Sequence, residues 1–385
     1  MFLPVLLVRD YGIWGFVVFA VPNVIGAGAM GWVLREGAAD RIVEKHVRAA
    51  VAFGCVTALF QAYFAFYLVK IVSDAYSPTP ASVGGVPWWD SIVTVAFLTG
   101  IGWLARRKSG EQWIASLLWI VSAGIGTYLT WSGQLDFVTV FVPGPHASPI
   151  GLVALAPVCV FGFALSPYLD LTFLRAAAGQ TRGAARSSFT IGFGVMFLAM
   201  ILFTLGYSTL FAPIANGIVN SVVAPRVVSL VFVHMILQLI FTSWLHVKQV
   251  ISKIGITGVR PKLLVLVGVV FLGLYVWSSS YHWLTPHAGL LAGEIIYRCF
   301  MSFYGLVFPA YVWLCMIPTA DGHSGIEGPR GRRKLVVLGA ACALAAPCYW
   351  MGFIERVEWW LAPGLGMVLL ARLLVRAGKP STRPG

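Results

Sequence analysis

Residues 150–175 read IGLVALAPVCVFGFALSPYLDLTFLR, and residues 150–169 pass without a single charged side chain. An α-helix rises about 1.5 Å per residue, so a run of this length covers the roughly 30 Å hydrocarbon layer of a bilayer. The run is not uniform: Gly162, Ser166 and Pro167 interrupt it, and Asp170 follows one turn later. Proline removes a backbone donor and crowds the carbonyl four residues back, here that of Phe163, leaving carbonyls free to face a cation or a polar ligand. An ionisable side chain at membrane depth is costly, which makes Asp170 a functional candidate by default. Two readings of the stretch stand. One is a discontinuous helix of the kind that builds a midplane site in secondary transporters, with Ser166, Pro167, Tyr168 and Asp170 on it. The other is a plain proline kink, with Asp170 close enough to the helix end to pair with Arg175.

Outward from this segment the same pattern repeats. The chain of 385 residues is 59% hydrophobic and 11% charged, with a mean hydropathy of +0.84, whereas soluble domains carry roughly 25% charged residues. The lipid bilayer is therefore the expected solvent and first partner. Apolar runs closed by charge, Pro or Gly clusters predict about eleven spanning helices, at 12–34, 49–72, 89–105, 113–131, 150–174, 187–211, 227–250, 262–281, 290–317, 334–353 and 357–376. The expectation is an all-α membrane protein, one polytopic domain over 1–385 with a short tail at 377–385.

Short cytoplasmic loops retain Lys and Arg, which orients the map. Loops after the first, third, fifth, seventh and ninth spans, together with the chain end, hold 22 of the 27 basic residues. Loops after the even-numbered spans carry Asp74, Asp136, His282, His287 and Glu355 instead. The amino terminus is expected outside and the carboxyl terminus in the cytoplasm, in a cell or inner membrane. Trp88, Trp89, Trp131, Trp283, Trp359 and Trp360 fall at span ends, where an interfacial aromatic belt places them. The net charge of +13 sits in these short loops and not on one face of a soluble domain, so nucleic acid is not an expected partner. The six cysteines lie in apolar segments without a CxxC pair, which points to packing and not to a metal site or disulfide framework. Residues 1–8 are too short for a signal-peptide core, and nothing is expected to be cleaved.

Polar groups inside other spans supply the remaining candidates. His234, Gln238, Thr242 and Ser243 follow at intervals of four, four and one, which puts most of them on one face of the seventh span. That face either lines a pathway, its hydroxyls suiting Na⁺ as a hard cation, or bonds helix to helix. Haem ligation by His234 would need a second histidine at matching depth, and the other six fall at or beyond span ends. Glu294 and Arg298, at i and i+4, are expected to form a structural ion pair. Pro22, Asn23, Gly26, Gly28 and Gly31 in the first span read as close helix packing and not as a binding site.

The stretch 166–211, in which Ser-Pro-Tyr-Leu-Asp-Leu-Thr-Phe-Leu-Arg-Ala leads into a basic loop and a further span, resembles the solute:sodium symporter family. Residues 35–73, with Arg-Ile-Val-Glu-Lys-His before a span, resemble that family's amphipathic cytoplasmic loop. The resemblance implies a LeuT-like inverted-repeat bundle. On the orientation above the chain carries helices 2 to 12 of that fold and lacks the first, which in the resembling family supplies much of the substrate pocket and carbonyls for a sodium ion. By the same resemblance Ser166, Pro167 and Tyr168 fall on the broken helix, and Thr242 and Ser243 near hydroxyl ligands of the sodium site.

The leading functional reading is a secondary active transporter of a small solute, with Na⁺ or H⁺ as candidate coupling ions and no other cofactor. The alternatives are a non-transporting scaffold or sensor that kept a transporter fold, or a truncated transporter whose first helix lies upstream of Met1. Enzymatic function is not expected, because no Ser/His/Asp set, HExxH run or paired haem histidines are present. A phosphate-cradling Gly-rich loop with Lys is missing too, which argues against an ATP-driven pump.

Overall fold

The computed structural model describes residues 2–76, 100, 110–146, 148–216, 223–257, 287–318 and 326–376. These residues are 86% helical and contain no strand. Nine helices among them are long and apolar enough to cross a bilayer, and they coincide with nine of the eleven expected runs. The runs expected at 89–105, Gly100 apart, and at 262–281 lie outside the described residues, as does the tail 377–385.

In chain order the helices are α1 (Leu3–Tyr11), α2 (Ile13–Val33), α3 (Ala38–Tyr76), α4 (Glu111–Trp131), α5 (Pro149–Leu165), α6 (Leu171–Ala177), α7 (Arg182–Ile191), α8 (Leu198–Ala215), α9 (Pro225–Thr257), α10 (Ala292–Ser302), α11 (Phe308–Tyr311), α12 (Gly328–Phe353) and α13 (Leu361–Arg376). A 3-10 turn, Ser166–Leu169, separates α5 from α6, and wide π-helical turns join α7 to α8 and α10 to α11. Local chemistry sets several boundaries. Pro149 opens α5, where a missing N–H costs nothing, and the Ser148 hydroxyl accepts the Gly151 N–H at 2.9 Å.

Helix α1 is not among the expected elements, because nine residues rise only about 13 Å and cannot span. Its apolar side chains from Pro4 to Val8 and Tyr11 are buried all the same, and it packs against α2 and α8. Phe2, 1% exposed, sits with its ring 5.3 to 5.9 Å from those of Phe64, Tyr67 and Tyr297. At Gly12 the chain turns into α2 with φ +66°, and a Cβ there would lie 2.7 Å from the Val142 carbonyl oxygen.

Two of the small residues of α2, Gly26 and Gly31, pack as the sequence predicts, whereas Asn23, read with them as packing, lines the cavity described below. Gly26 lies against the Phe163 carbonyl and the Ala164 Cα of α5, and Gly31 against the Ala185 carbonyl of α7. Without a hydrophobic drive between helices in lipid, such backbone approach is what holds them together. Apolar side chains also cover the outside of the bundle: Trp113, Ile150, Val153, Val336, Leu344 and Leu370 are all exposed. In water that surface would be an aggregation liability; against acyl chains it is the expected finish.

Inside are two main clusters of buried apolar side chains. One joins Phe2 and Leu6 to α3, α8, α9 and α10, and the other joins Leu7 and Tyr11 to α2, α5, α12 and α13. Helix α1 belongs to both, and a cavity lies between them. We call the end bearing the basic loops the basic end. At the opposite end the His287 Nε2 meets the Glu355 carboxylate at 2.8 Å, and the Trp350 indole N–H donates to it at 3.0 Å. These contacts from His287 and Trp350 hold the Glu355 carboxyl below its ordinary value of 4.5. A depressed carboxyl keeps its contribution above the ordinary value and loses it as pH falls through the lowered one. The Glu355 carboxyl, followed by carbon-13 NMR and identified by difference from Glu355→Gln, is thus expected to stay ionised from neutral pH down to 4.5 and to protonate only below it. Protonation of Glu355 at higher pH would break the assignment.

Candidate functional site

The cavity between the two clusters measures about 370 Å³ and is lined from α1, α2, α3, α5, α9, α10 and the start of α13. Its walls are mostly apolar and include the aromatic rings of Phe2, Phe19, Phe60, Phe64, Phe163 and Tyr297. Five uncharged polar side chains, Asn23, Thr57, Gln61, Gln238 and Thr242, break that surface along its length. The size and the ratio of apolar wall to placed polar groups are those of a small-molecule site.

At the basic end the cavity closes on Asp170 and His246. The chain leaves α5 through the Ser166–Leu169 turn and is extended at Asp170, with ψ 109°, before α6 begins. The helix is therefore interrupted and not merely kinked. The Ser166 hydroxyl donates to the Tyr304 carbonyl at 3.1 Å, which anchors the turn to the π-helical segment after α10. Asp170 caps α6: its Oδ1 accepts the Thr172 N–H at 2.8 Å and the Thr172 hydroxyl at 2.7 Å. Its Oδ2 lies 3.9 Å from the His246 Nε2. Both side chains are buried, at 6% and 5% exposure. The alternative partner, Arg175, bonds Glu111 at 3.1 Å instead, and Glu111 also takes Lys248 at 2.5 Å. Beside the pair, the Tyr304 hydroxyl donates to Thr57 Oγ1 at 2.8 Å, and the Phe53 ring stands 6.2 Å from the imidazole.

The opposite end is closed by a cluster of charges. Arg9 bonds both oxygens of Glu294, at 2.7 and 2.8 Å, and Asp10 Oδ1 at 2.8 Å. Arg298 bonds Asp10 Oδ2 at 2.6 Å, Glu294 Oε1 at 2.8 Å and the Phe353 carbonyl at 3.0 Å. Arg356 approaches Asp10 to 3.7 Å, and the Tyr11 hydroxyl donates to Glu358 at 2.6 Å. Arg356 has φ +58°, a conformation that costs a side-chain-bearing residue about 1 kcal/mol or more and here directs a cation at Asp10. Arg9, Arg298 and Arg356 balance Asp10, Glu294 and Glu358.

The structure brings some sequence candidates together and separates others. Asp170, Gln238 and Thr242 line the cavity. Ser166 and Pro167 shape the turn beside it. Tyr168 lines a different space, about 450 Å³ at the basic end, with Arg41, Lys45 and His46. His234 does not reach the cavity; it packs against the rings of Phe203 and Tyr207, with centroids 4.8 and 6.1 Å away. Ser243 is turned from Thr242 by one residue and buried, with no hydrogen-bond partner among the described residues. Glu294 and Arg298 meet as spaced, but as members of the larger cluster.

Three functional features escape the sequence reading. His246 does not lie at or beyond a span end: α9 continues past the membrane run to Thr257, so the residue is inside the bundle. The signal was present, since His234, Gln238, Thr242 and His246 recur every four residues. Thr57 and Gln61 share one face of α3 by the same spacing. Arg9 and Asp10 carried no signal, because only their partner Glu294, 285 positions away, gives them a role. No protein family matches the chain in a scan of family profiles, and no curated protein matches it.

Proposed function

We propose that the protein is a secondary active transporter of a small solute, driven by a coupled cation. The observation that carries this reading is the central cavity, bounded at one end by an interrupted helix with a buried carboxylate and at the other by paired charges, so that each end has its own closure. Alternating access needs two closures around one site. The aromatic walls favour an uncharged or cationic solute. A carboxylate solute gains no anchor from Arg298, whose donors are engaged by Glu294, Asp10 and the Phe353 carbonyl. The charge distribution of the loops supports placing the basic end in the cytoplasm of a cell membrane.

One observation favours the other reading, a scaffold or sensor that does not transport: the charge cluster ties α1, α10 and the segment after α12 together as a permanently closed end would. The two part in a labelling experiment that needs no substrate. In a variant with the six native cysteines replaced, Thr242→Cys is exposed to a membrane-impermeant maleimide in inside-out and in right-side-out vesicles. A transporter is labelled from both sides. Labelling from one side, or from neither, would leave the scaffold as the better account.

A further inference from the structure

We infer that Asp170 and His246 form a proton-binding site, with His246 taking the proton and Asp170 holding it. On the transport reading above, this makes H⁺ the coupling ion. The argument starts from what each atom already does. Asp170 Oδ1 is committed to the backbone and hydroxyl of Thr172. Oδ2 is left, and its neighbour at 3.9 Å is an imidazole nitrogen. Sodium is a hard cation that takes several oxygen ligands. Here the carboxylate has one spare oxygen facing nitrogen, and Ser243, the hydroxyl expected beside Thr242, is not on the cavity wall. A proton needs only the imidazole lone pair and a nearby anion.

The second observation is the far side of the ring. His246 Nδ1 is buried and has no hydrogen-bond partner among the described residues. A neutral imidazole tolerates this arrangement at modest cost, whereas the imidazolium carries an N–H on both nitrogens and demands a second acceptor. Proton uptake therefore tightens the ring on Asp170 and disfavours its present surroundings, so occupancy by one proton biases the packing of α9 against α3 and α6. Among the described residues, the other titratable groups near the pair do not compete for this role. Tyr304 is hydrogen-bonded to Thr57. Arg175 and Lys248 share the single Glu111 carboxylate, so that group keeps one net positive charge and offers no free base. His46, from the start of α3, is bonded to the Tyr311 hydroxyl at 3.0 Å.

The test uses the whole chain, ¹⁵N-labelled at histidine, in phosphatidylethanolamine–phosphatidylglycerol vesicles. His246 is identified by difference from His246→Gln, and its charge state is followed by solid-state NMR from about pH 8 to about pH 5. The proposal expects His246 to become an imidazolium within that range. It also expects Asp170→Asn to lower the midpoint by about one unit or more, as loss of a neighbouring opposite charge does. Asparagine caps helices as well as aspartate, so that variant keeps the start of α6. A His246 that stays neutral throughout, or that titrates at the same midpoint in Asp170→Asn, overturns the proposal. Labelling of Thr242→Cys in the same vesicles separates the two ideas. Two-sided labelling that responds to NaCl at fixed pH, with His246 neutral, would sink the proton site and leave the transporter standing. One-sided labelling with His246 titrating as described would support the site and sink the transporter.

Discussion

Glu294→Ala is expected to destabilise the protein by about 3–5 kcal/mol, seen as a large drop in the thermal unfolding midpoint in detergent and in the monodisperse fraction on gel filtration. The carboxylate is 1% exposed and takes both arms of Arg9 as well as the Nε of Arg298. Its removal leaves Arg9 and Arg298 with Asp10 as their remaining carboxylate, which Arg356 also approaches, in a region with little water to replace what is lost. The cost is that of an uncompensated buried charge, not the net worth of the original pairs. The double variant Glu294→Leu with Arg298→Leu tests this directly. It deletes one charge of each sign, leaving Arg9 and Arg356 against Asp10 and Glu358, and is expected to be less damaging than the single change. A single variant costing under about 1 kcal/mol, the range of exposed pairs, would mean that water reaches the cluster and that it closes nothing.

The second large effect concerns α2. A methyl group added at Gly26 would meet the Phe163 carbonyl and the Ala164 Cα, and one added at Gly31 would lie 2.6 Å from the Ala185 carbonyl oxygen. Backbone cannot rotate away as a side chain can, so the helices must separate. Gly26→Ala and Gly31→Ala are each expected to cost about 1–3 kcal/mol. Gly28 is the control on the same helix, with nothing among the described residues nearer than the Phe193 Cβ at 3.6 Å. There alanine adds only ordinary contact and removes glycine's conformational freedom, which favours the helix by roughly 0.5–1 kcal/mol. The three variants should thus split in sign in one thermal unfolding series. Equal behaviour at all three positions would mean that α2 does not pack as described. Because Gly26 contacts α5 directly before the Ser166–Leu169 turn, its alanine variant should also disturb labelling of the cavity, whereas that of Gly28 should not.

The spanning helices were legible because they are a local property. Length and apolarity of a run decide whether it can cross a bilayer, and nine of the described helices fall where the runs do. The interruption after α5 was legible for the same reason, since Ser166, Pro167 and Asp170 are neighbours in sequence. Tight packing by Gly26 and Gly31 could be read from spacing, although spacing could not say which neighbours they would meet, nor that Gly28 would be free.

What only the tertiary structure decided is which side chains face one another. Within α9 the sequence alone placed His234 and Thr242 on one face. The neighbours of that helix differ along its length, so His234 is packed among aromatic rings while Thr242 and His246 reach the cavity. Asp170 read equally well as a partner of Arg175, and the approach of α4 and α9 gave Arg175 to Glu111 and left Asp170 to His246. The charge cluster is the extreme case. Arg9 and Asp10 stand in the last turn of the short α1, just before the Gly12 turn, and they acquire their role only when α10 and the segment after α12 arrive beside α1. Hydropathy and helical spacing are set along the chain, but electrostatic pairing depends on distances across the bundle, and those exist only once the helices have packed.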